Sequence, residues 1–226
     1  VDNSDQPNSR WYSGCGIYRH VWLTKTMKKA YIPQWGQYVS TTPQGDVKVK
    51  VDFLAQGSKM KLSIRNTIYD AKGKVVAKSQ GNEVQQLKVK NPQLWDIAKG
   101  YLYSVKSELV VNGKVVDTAT TTTGFRDVKF DAQKGFFLNG RNIKINGVCE
   151  HHDFGCLGAV VNEDAMHRKL TILRDMGVNA IRSSHNPPAP ELLNMCDSMG
   201  ILVMDESFDM WRRKKSNGDY ARFFDE

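Results

Sequence analysis

The sequence predicts a multidomain β plus α/β protein, in which an immunoglobulin-like β-sandwich is followed by the first three strands of a parallel α/β barrel. Three observations carry that reading. Residues 24–123 hold about seven short runs punctuated by turn dipeptides, the pattern of a sandwich. Residues 143–206 read as strand, helix, strand, helix, strand, the order that builds a parallel sheet. No Gly-x-Gly-x-x-Gly follows the first of those strands, which counts against a dinucleotide fold and favours a barrel.

With 226 residues, 40% of them hydrophobic and 25% charged, the chain is globular and long enough for one large domain or two small ones. No apolar run approaches the length of a membrane span. The chain opens on Val1-Asp2-Asn3 with no initiator Met and no charged start leading into an apolar block. It is expected to be a piece of something longer, so the missing signal says nothing about secretion.

Residues 1–23 contain the cation-and-aromatic cluster Arg10, Trp11 and Tyr12 and an apolar finish, Ile17–Leu23, expected to be a strand. So short a segment cannot close a core, and it reads as the last strand of another domain. Arg10 and the aromatics suit a sugar ring, although aromatic clusters more often serve packing.

Residues 24–123 offer strands at Tyr38–Thr41, Asp46–Ala55, Lys59–Tyr69, Val75–Gln80, Val84–Val89, Tyr101–Val111 and Val115–Thr122. Asn112-Gly113 between two alternating runs is a two-residue hairpin signal. Most of the net charge of +8 sits here, with 16 Lys+Arg against 7 Asp+Glu, whereas residues 124–226 carry 14 against 15. Lys48, Lys50 and Lys61 alternate with apolar residues and so point outward from half-buried strands. A solvated sheet face explains them. A polyanion-binding face is the sharper alternative, and no nucleic-acid motif supports it.

From residue 124 the character changes. Phe136–Arg141 reads as a hairpin leading into a strand at Ile143–Cys149. Asn162 caps a helix with Glu163 and Asp164 in its first turn, and Met166, Leu170, Leu173 and Met176 form its buried face. Val178–Ser183 is a strand, Glu191–Met199 a helix stopped by Gly200, and Ile201–Met204 a continuous apolar run suited to a strand buried on both faces.

Those three strands end in polar residues. The first delivers His151, His152 and Asp153, the second His185 and Asn186, and the third Asp205 and Glu206, with Asp209 and Trp211 shortly after. The carboxyl edge of a parallel sheet is where such folds bind ligands. Histidines, carboxylates, an amide and a Trp suit a polyhydroxylated substrate, although any one of them can equally be a structural hydrogen bonder. Zinc at Cys149, His151, His152 and Cys156 competes by residue type, but the spacing is crowded and Cys149 is expected to face the strand interior. The four cysteines, Cys15 among them, form no Cys-x-x-Cys pair. A Cys196–His185 nucleophilic pair is weaker than reading Cys196 as a packed thiol.

Asn179-Ala180-Ile181-Arg182-Ser183-Ser184-His185-Asn186-Pro187, then Cys196-Asp197 and Gly200–Glu206, resembles the first signature of glycoside hydrolase family 2, whose members include β-galactosidases, β-glucuronidases and β-mannosidases. The resemblance covers the whole chain. Residues 1–23 look like the end of the family's jelly-roll sugar-binding domain, 24–123 like its immunoglobulin-like domain, and 124–226 like the opening of its catalytic (β/α)8 TIM barrel. His151–Ala159 and Glu206–Trp211 are most similar to bacterial β-galactosidases.

The resemblance implies a retaining, exo-acting glycosidase for terminal β-D-galactosides. A β-glucuronidase, a β-mannosidase or a non-catalytic carbohydrate-binding module are the rivals. It implies that His185 contacts the sugar in the −1 subsite. Arg10 and Asp153 would be further contacts and Trp211 a stacking platform, with Glu206 on the same rim. Asn186 stands where the family commonly has Tyr, so a role carried by that Tyr does not transfer. Both catalytic carboxylates are expected beyond Glu226, so the chain alone is expected to be inactive. Asp205 and Glu206 are neighbours on a strand and point to opposite faces, whereas retention needs two carboxyls about 5–5.5 Å apart across one bond. No cofactor or metal is required, and a divalent cation in the full-length enzyme stays compatible. The expected partner is a β-galactoside, with homo-oligomerisation left open. A bacterial periplasmic or extracellular location is favoured over the cytoplasm.

Overall fold

The computed structural model describes residues 16–57, 60–207 and 209. The chain divides into two compact units, Leu23–Lys144 and Val1–Trp22 with Ile145–Glu226.

The first unit is a β-sandwich. Its strands are β1 (Ala30–Tyr31), β2 (Gln37–Thr41), β3 (Asp46–Val51), β4 (Leu54–Ala55), β5 (Leu62–Tyr69), β6 (Val75–Gly81), β7 (Val84–Lys88), β8 (Tyr103–Val111) and β9 (Lys114–Thr123). They form a four-stranded sheet of order β6-β5-β8-β9, a three-stranded sheet of order β2-β3-β7, and the pair β1-β4. Alternation decides which residues meet between the sheets. Val47, Val49 and Val51 of β3 are buried with Ile64 and Ile68 of β5 and Val105 and Leu109 of β8, while Lys48 and Lys50 face solvent. The expected run Asp46–Ala55 is interrupted at Asp52-Phe53, and its last two residues pair with β1 instead.

At the β8–β9 turn both Asn112 (φ 50°) and Gly113 (φ 82°) are left-handed, the requirement of the primed hairpin that matches strand twist. The same chemistry recurs at Asn139 and Gly140. There β10 (Val128–Asp131), β11 (Gly135–Leu138) and β12 (Arg141–Asn142) form a small antiparallel sheet. It is fastened within this unit by Asn139 Nδ2 donating to Trp95 O (2.9 Å) and by an Arg141–Asp96 ion pair.

The second unit is layered α/β, with β13 (Gly147–Glu150), α1 (Glu163–Asp175), β14 (Ala180–Ser183), α2 (Pro190–Met199) and β15 (Leu202–Met204). The strands pair in parallel in chain order. The strand expected at Ile143–Cys149 thus begins at Gly147, where it first finds β14 as a partner. Asn162 Oδ1 accepts the N–H of Ala165 and caps α1. Gly200 ends α2 in the left-handed region (φ 72°, ψ 46°).

Register sorts this sheet into two faces. Val148, Ile181 and Val203 form one row and pack with Leu170, Cys196 and Met199 of the helices. Cys149, Arg182 and Met204 form the next row, on the opposite face. Cys149 is therefore exposed rather than interior as expected, because no helix among the described residues covers its side of the sheet. Met176, expected on the buried face of α1, is 72% exposed: it is the C-cap, past the last turn that reaches the sheet.

Ile17–Leu23, expected to be a strand, pairs with no described strand. Backbone of strand composition without a neighbour cannot form a ladder, and it runs here as a tether without regular secondary structure. No helix among the described residues is long and apolar enough to cross a membrane.

Candidate functional site

Alternation holds to the ends of β13–β15, and the turns that follow, at Ser184-His185 for β14, then help split the polar residues between two faces. On the face away from the helices, the Glu206 carboxylate lies between Arg182 and His185. Arg182 Nε is 3.0 Å from Oε1, and His185 Nδ1 is 2.9 Å from Oε2. Arg182 Nη2 is also 3.4 Å from His185 Nδ1. Both contacts cannot be hydrogen bonds in one tautomer, since Nδ1 cannot donate and accept together. The shorter, to a carboxylate that only accepts, fixes Nδ1–H as the donor. In the neutral ring that leaves Nε2 as the acceptor nitrogen. All three side chains are half-buried. The His151 ring meets His185 edge to face at 5.7 Å, and its Nδ1 is 2.9 Å from Ser184 O.

On the helix-side face the partners differ. Asp205 accepts from Ser183 Oγ (3.3 Å), which in turn accepts the N–H of Glu206 (2.9 Å). Asp205 and Glu206 thus serve opposite faces of one strand end. Glu150 Oε2 takes Lys169 Nζ of α1 at 2.6 Å. The same ammonium donates to the carbonyls of Asp153 (3.0 Å) and His151 (3.5 Å) and lies 4.5 Å from the Phe154 ring centroid. One cation from α1 therefore organises the loop that follows β13. Asp153 Oδ1 is 3.8 Å from this cation, so its carboxylate is engaged on the helix side.

His152 also turns away from His185 and stacks on Tyr18, with centroids 5.6 Å apart. Burial first, then the charge of Arg19, holds its imidazole below the ordinary range. Both residues border a cleft of about 530 Å³, open to solvent, with Lys169, Met166, Asn186 and Leu192 on its walls. The cleft lies on the helix side, not at the His185–Glu206 pair. Asn186 Oδ1 is buried there without a hydrogen-bond partner among the described residues.

Of the expected site residues, the structure joins His185 and Glu206 and sets His151 beside them. It places His152 and Asn186 on the wall of the cleft, which His151 also borders, and Asp153 beside Lys169. Asp209 is half-buried beyond β15. Arg10 and Trp211 lie outside the described residues. Among the described residues no three His, Cys, Asp or Glu side chains converge as a metal site requires. Cys196 is buried in α2 and its thiol is pushed up to about 12, by burial first and then by Asp197, so it is no ready thiolate. Arg182, Lys169 and Arg19 carry contacts that sequence reasoning did not assign. Arg182 was accessible to it, being three residues before His185 on a strand whose neighbour ends in Glu206.

Residues 30–126 match the family described as Glycosyl hydrolases family 2, and residues 128–216 match Glycosyl hydrolases family 2, TIM barrel domain. The chain is 52% identical over its whole length to the β-galactosidase BoGH2A of Bacteroides ovatus, covering 28% of that protein. It is 39% identical over its whole length to a putative β-glucuronidase of Formosa agariphila, covering 22% of it. A crystal structure of a glycosyl hydrolase family 2 member from Bacteroides cellulosilyticus superposes with a TM-score of 0.87 at 38% identity, over 97% of this chain and 30% of that one. The chain thus spans less than a third of the length of these relatives.

Proposed function

This chain belongs to glycosyl hydrolase family 2, and from that premise we propose that it is the front part of a retaining, exo-acting β-galactosidase. The observation that carries the reading is the Arg182–Glu206–His185 cluster on the face away from α1 and α2 at the carboxyl edge of a parallel sheet, the edge where barrel enzymes bind substrate. Glu206 fixes the His185 ring through Nδ1 and so orients the imidazole toward a sugar in the −1 subsite. The acid that protonates the leaving oxygen and the carboxylate that attacks the anomeric carbon are supplied from beyond Glu226. Asp205 and Glu206 do not form that pair, because they serve opposite faces.

Identity to a β-galactosidase over the whole chain supports galactose as the sugar. Relatives named as β-glucuronidases support a second reading. A uronate needs a cation aimed at its carboxylate; Arg182, beside His185, is already paired with Glu206, so on that reading another cation of the full-length enzyme would serve. The test is a panel of aryl β-galactoside, β-glucuronide and β-mannoside on the full-length enzyme. The β-galactoside should exceed the others in kcat/KM by about tenfold or more, and the 226-residue chain alone should turn over none of them. A faster glucuronide would replace the reading of the substrate, and turnover by the chain alone would overturn the placement of the acids.

A further inference from the structure

The loop that carries His185 into α2 is rich in proline. Pro187 and Pro188 have no N–H to donate, so this stretch has fewer backbone donors with which to brace itself. Glu150 O and His151 hold Ser184 at the loop's start, and the tether braces the proline stretch. Arg19 Nη2 donates to Pro187 O at 2.6 Å and Nη1 to Pro188 O at 3.4 Å. His20 Nδ1 meets Glu191 Oε1, in the first turn of α2, at 2.8 Å. Tyr18 stacks on His152, and its carbonyl accepts the N–H of Val161 at 3.4 Å. Three consecutive residues therefore grip the loops that follow β13 and β14. A planar guanidinium suits two successive carbonyls, because its donors diverge in a fixed fork.

We propose that Arg19 is a positioning residue for the glycosidase reaction: it holds the Pro187–Pro188 backbone and so fixes where His185 stands relative to the sugar. This rests on the reading of His185 as a sugar contact. Arg19 does not touch the Arg182–Glu206–His185 cluster and acts through the chain that links His185 to α2. Displacing a contact residue by about 1 Å costs up to about a hundredfold in rate, so a loosened loop is visible in kinetics while the fold stays intact.

The test uses the full-length enzyme with Arg19→Met and Arg19→Lys, an aryl β-galactoside, and hydrogen exchange read peptide by peptide. Arg19→Met should lower kcat/KM by about ten- to a hundredfold, with faster exchange confined to residues 184–193. Arg19→Lys, which keeps one charge-assisted donor, should fall between Arg19→Met and the wild type, and it carries the test if Arg19→Met does not fold. Activity within about threefold of wild type, or exchange raised equally through residues 145–207, would overturn the proposal, the latter by reducing Arg19 to a general structural role. If the wild-type enzyme hydrolyses no aryl β-glycoside, the functional reading falls, and the confinement of exchange to 184–193 alone decides whether Arg19 holds the loop.

Discussion

In the sandwich, Val49, Val51, Ile64, Ile68, Val105 and Leu109 are all at 0% exposure between two sheets. The α/β unit packs Val148, Ile181 and Val203 against its helices on one side. On the other side it leaves Cys149 exposed and Met204 at 64%. The sandwich spends its alternation on closing a core, with lysines on the outer face and nothing chemical among them. The α/β unit spends the same alternation differently: one face packs, and the other presents Arg182, His185 and Glu206. In a closed barrel the face away from the helices is the interior, filled by the side chains of other strands, and here the polar side chains of that face gather toward its carboxyl edge.

That contrast can be broken where packing is densest. Leu109→Ala should destabilise the sandwich by about 2–5 kcal/mol, because both sheets resist collapse into the cavity. Ile181→Ala in the half-covered sheet should cost the lower end of that range, about 2 kcal/mol, since an uncovered sheet relaxes more freely. Denaturant unfolding, with the two units distinguished by hydrogen exchange, reads both, and equal costs would refute the contrast.

A smaller effect sharpens the division between faces. Lys169→Met should leave Glu150 and the carbonyls of His151 and Asp153 without their shared donor, at about 1–3 kcal/mol. Exchange should rise after β13 and leave Arg182–Glu206–His185 in place. Loss of substrate contact equal to that of a His185 variant would mean that the faces are not separate.

The smallest effect is on pH dependence. The folded state holds the His152 imidazole below its ordinary value of 6.5, so the unfolded chain binds the proton first. The stabilisation is complete above about pH 6.5 and is lost as pH falls through the depressed folded value. His152→Phe keeps a ring for Tyr18 and removes the proton site. Its melting temperature should therefore drop less than the wild type's between about pH 7 and 5, and parallel curves would contradict this.

Much of this was legible because periodicity and turn chemistry act locally. The Asn112-Gly113 hairpin, the Asn162 cap and the Gly200 stop each follow from one or two residues. The His185–Glu206 contact was foreshadowed by two strand ends meeting on one edge. What was not legible depends on which neighbour is present. Ile17–Leu23 has strand composition, and the structure uses it as a tether. Cys149 reads as interior only if its face is covered. Asp153 and His152 follow His151 directly, yet Lys169 and Tyr18, distant in sequence, draw them to the helix side. Pairing of that kind is set by tertiary placement, which spacing along the chain does not encode.

The central claim is that the face away from α1 and α2, and not the cleft on the helix side, meets the sugar. Its most direct measurement is kcat/KM of His185→Phe in the full-length enzyme with an aryl β-galactoside, alongside its melting temperature. Losing one fixed polar contact to the transition state should lower kcat/KM by about a hundredfold or more with the melting temperature nearly unchanged. Activity at the wild-type level would contradict the claim and move the sugar away from His185.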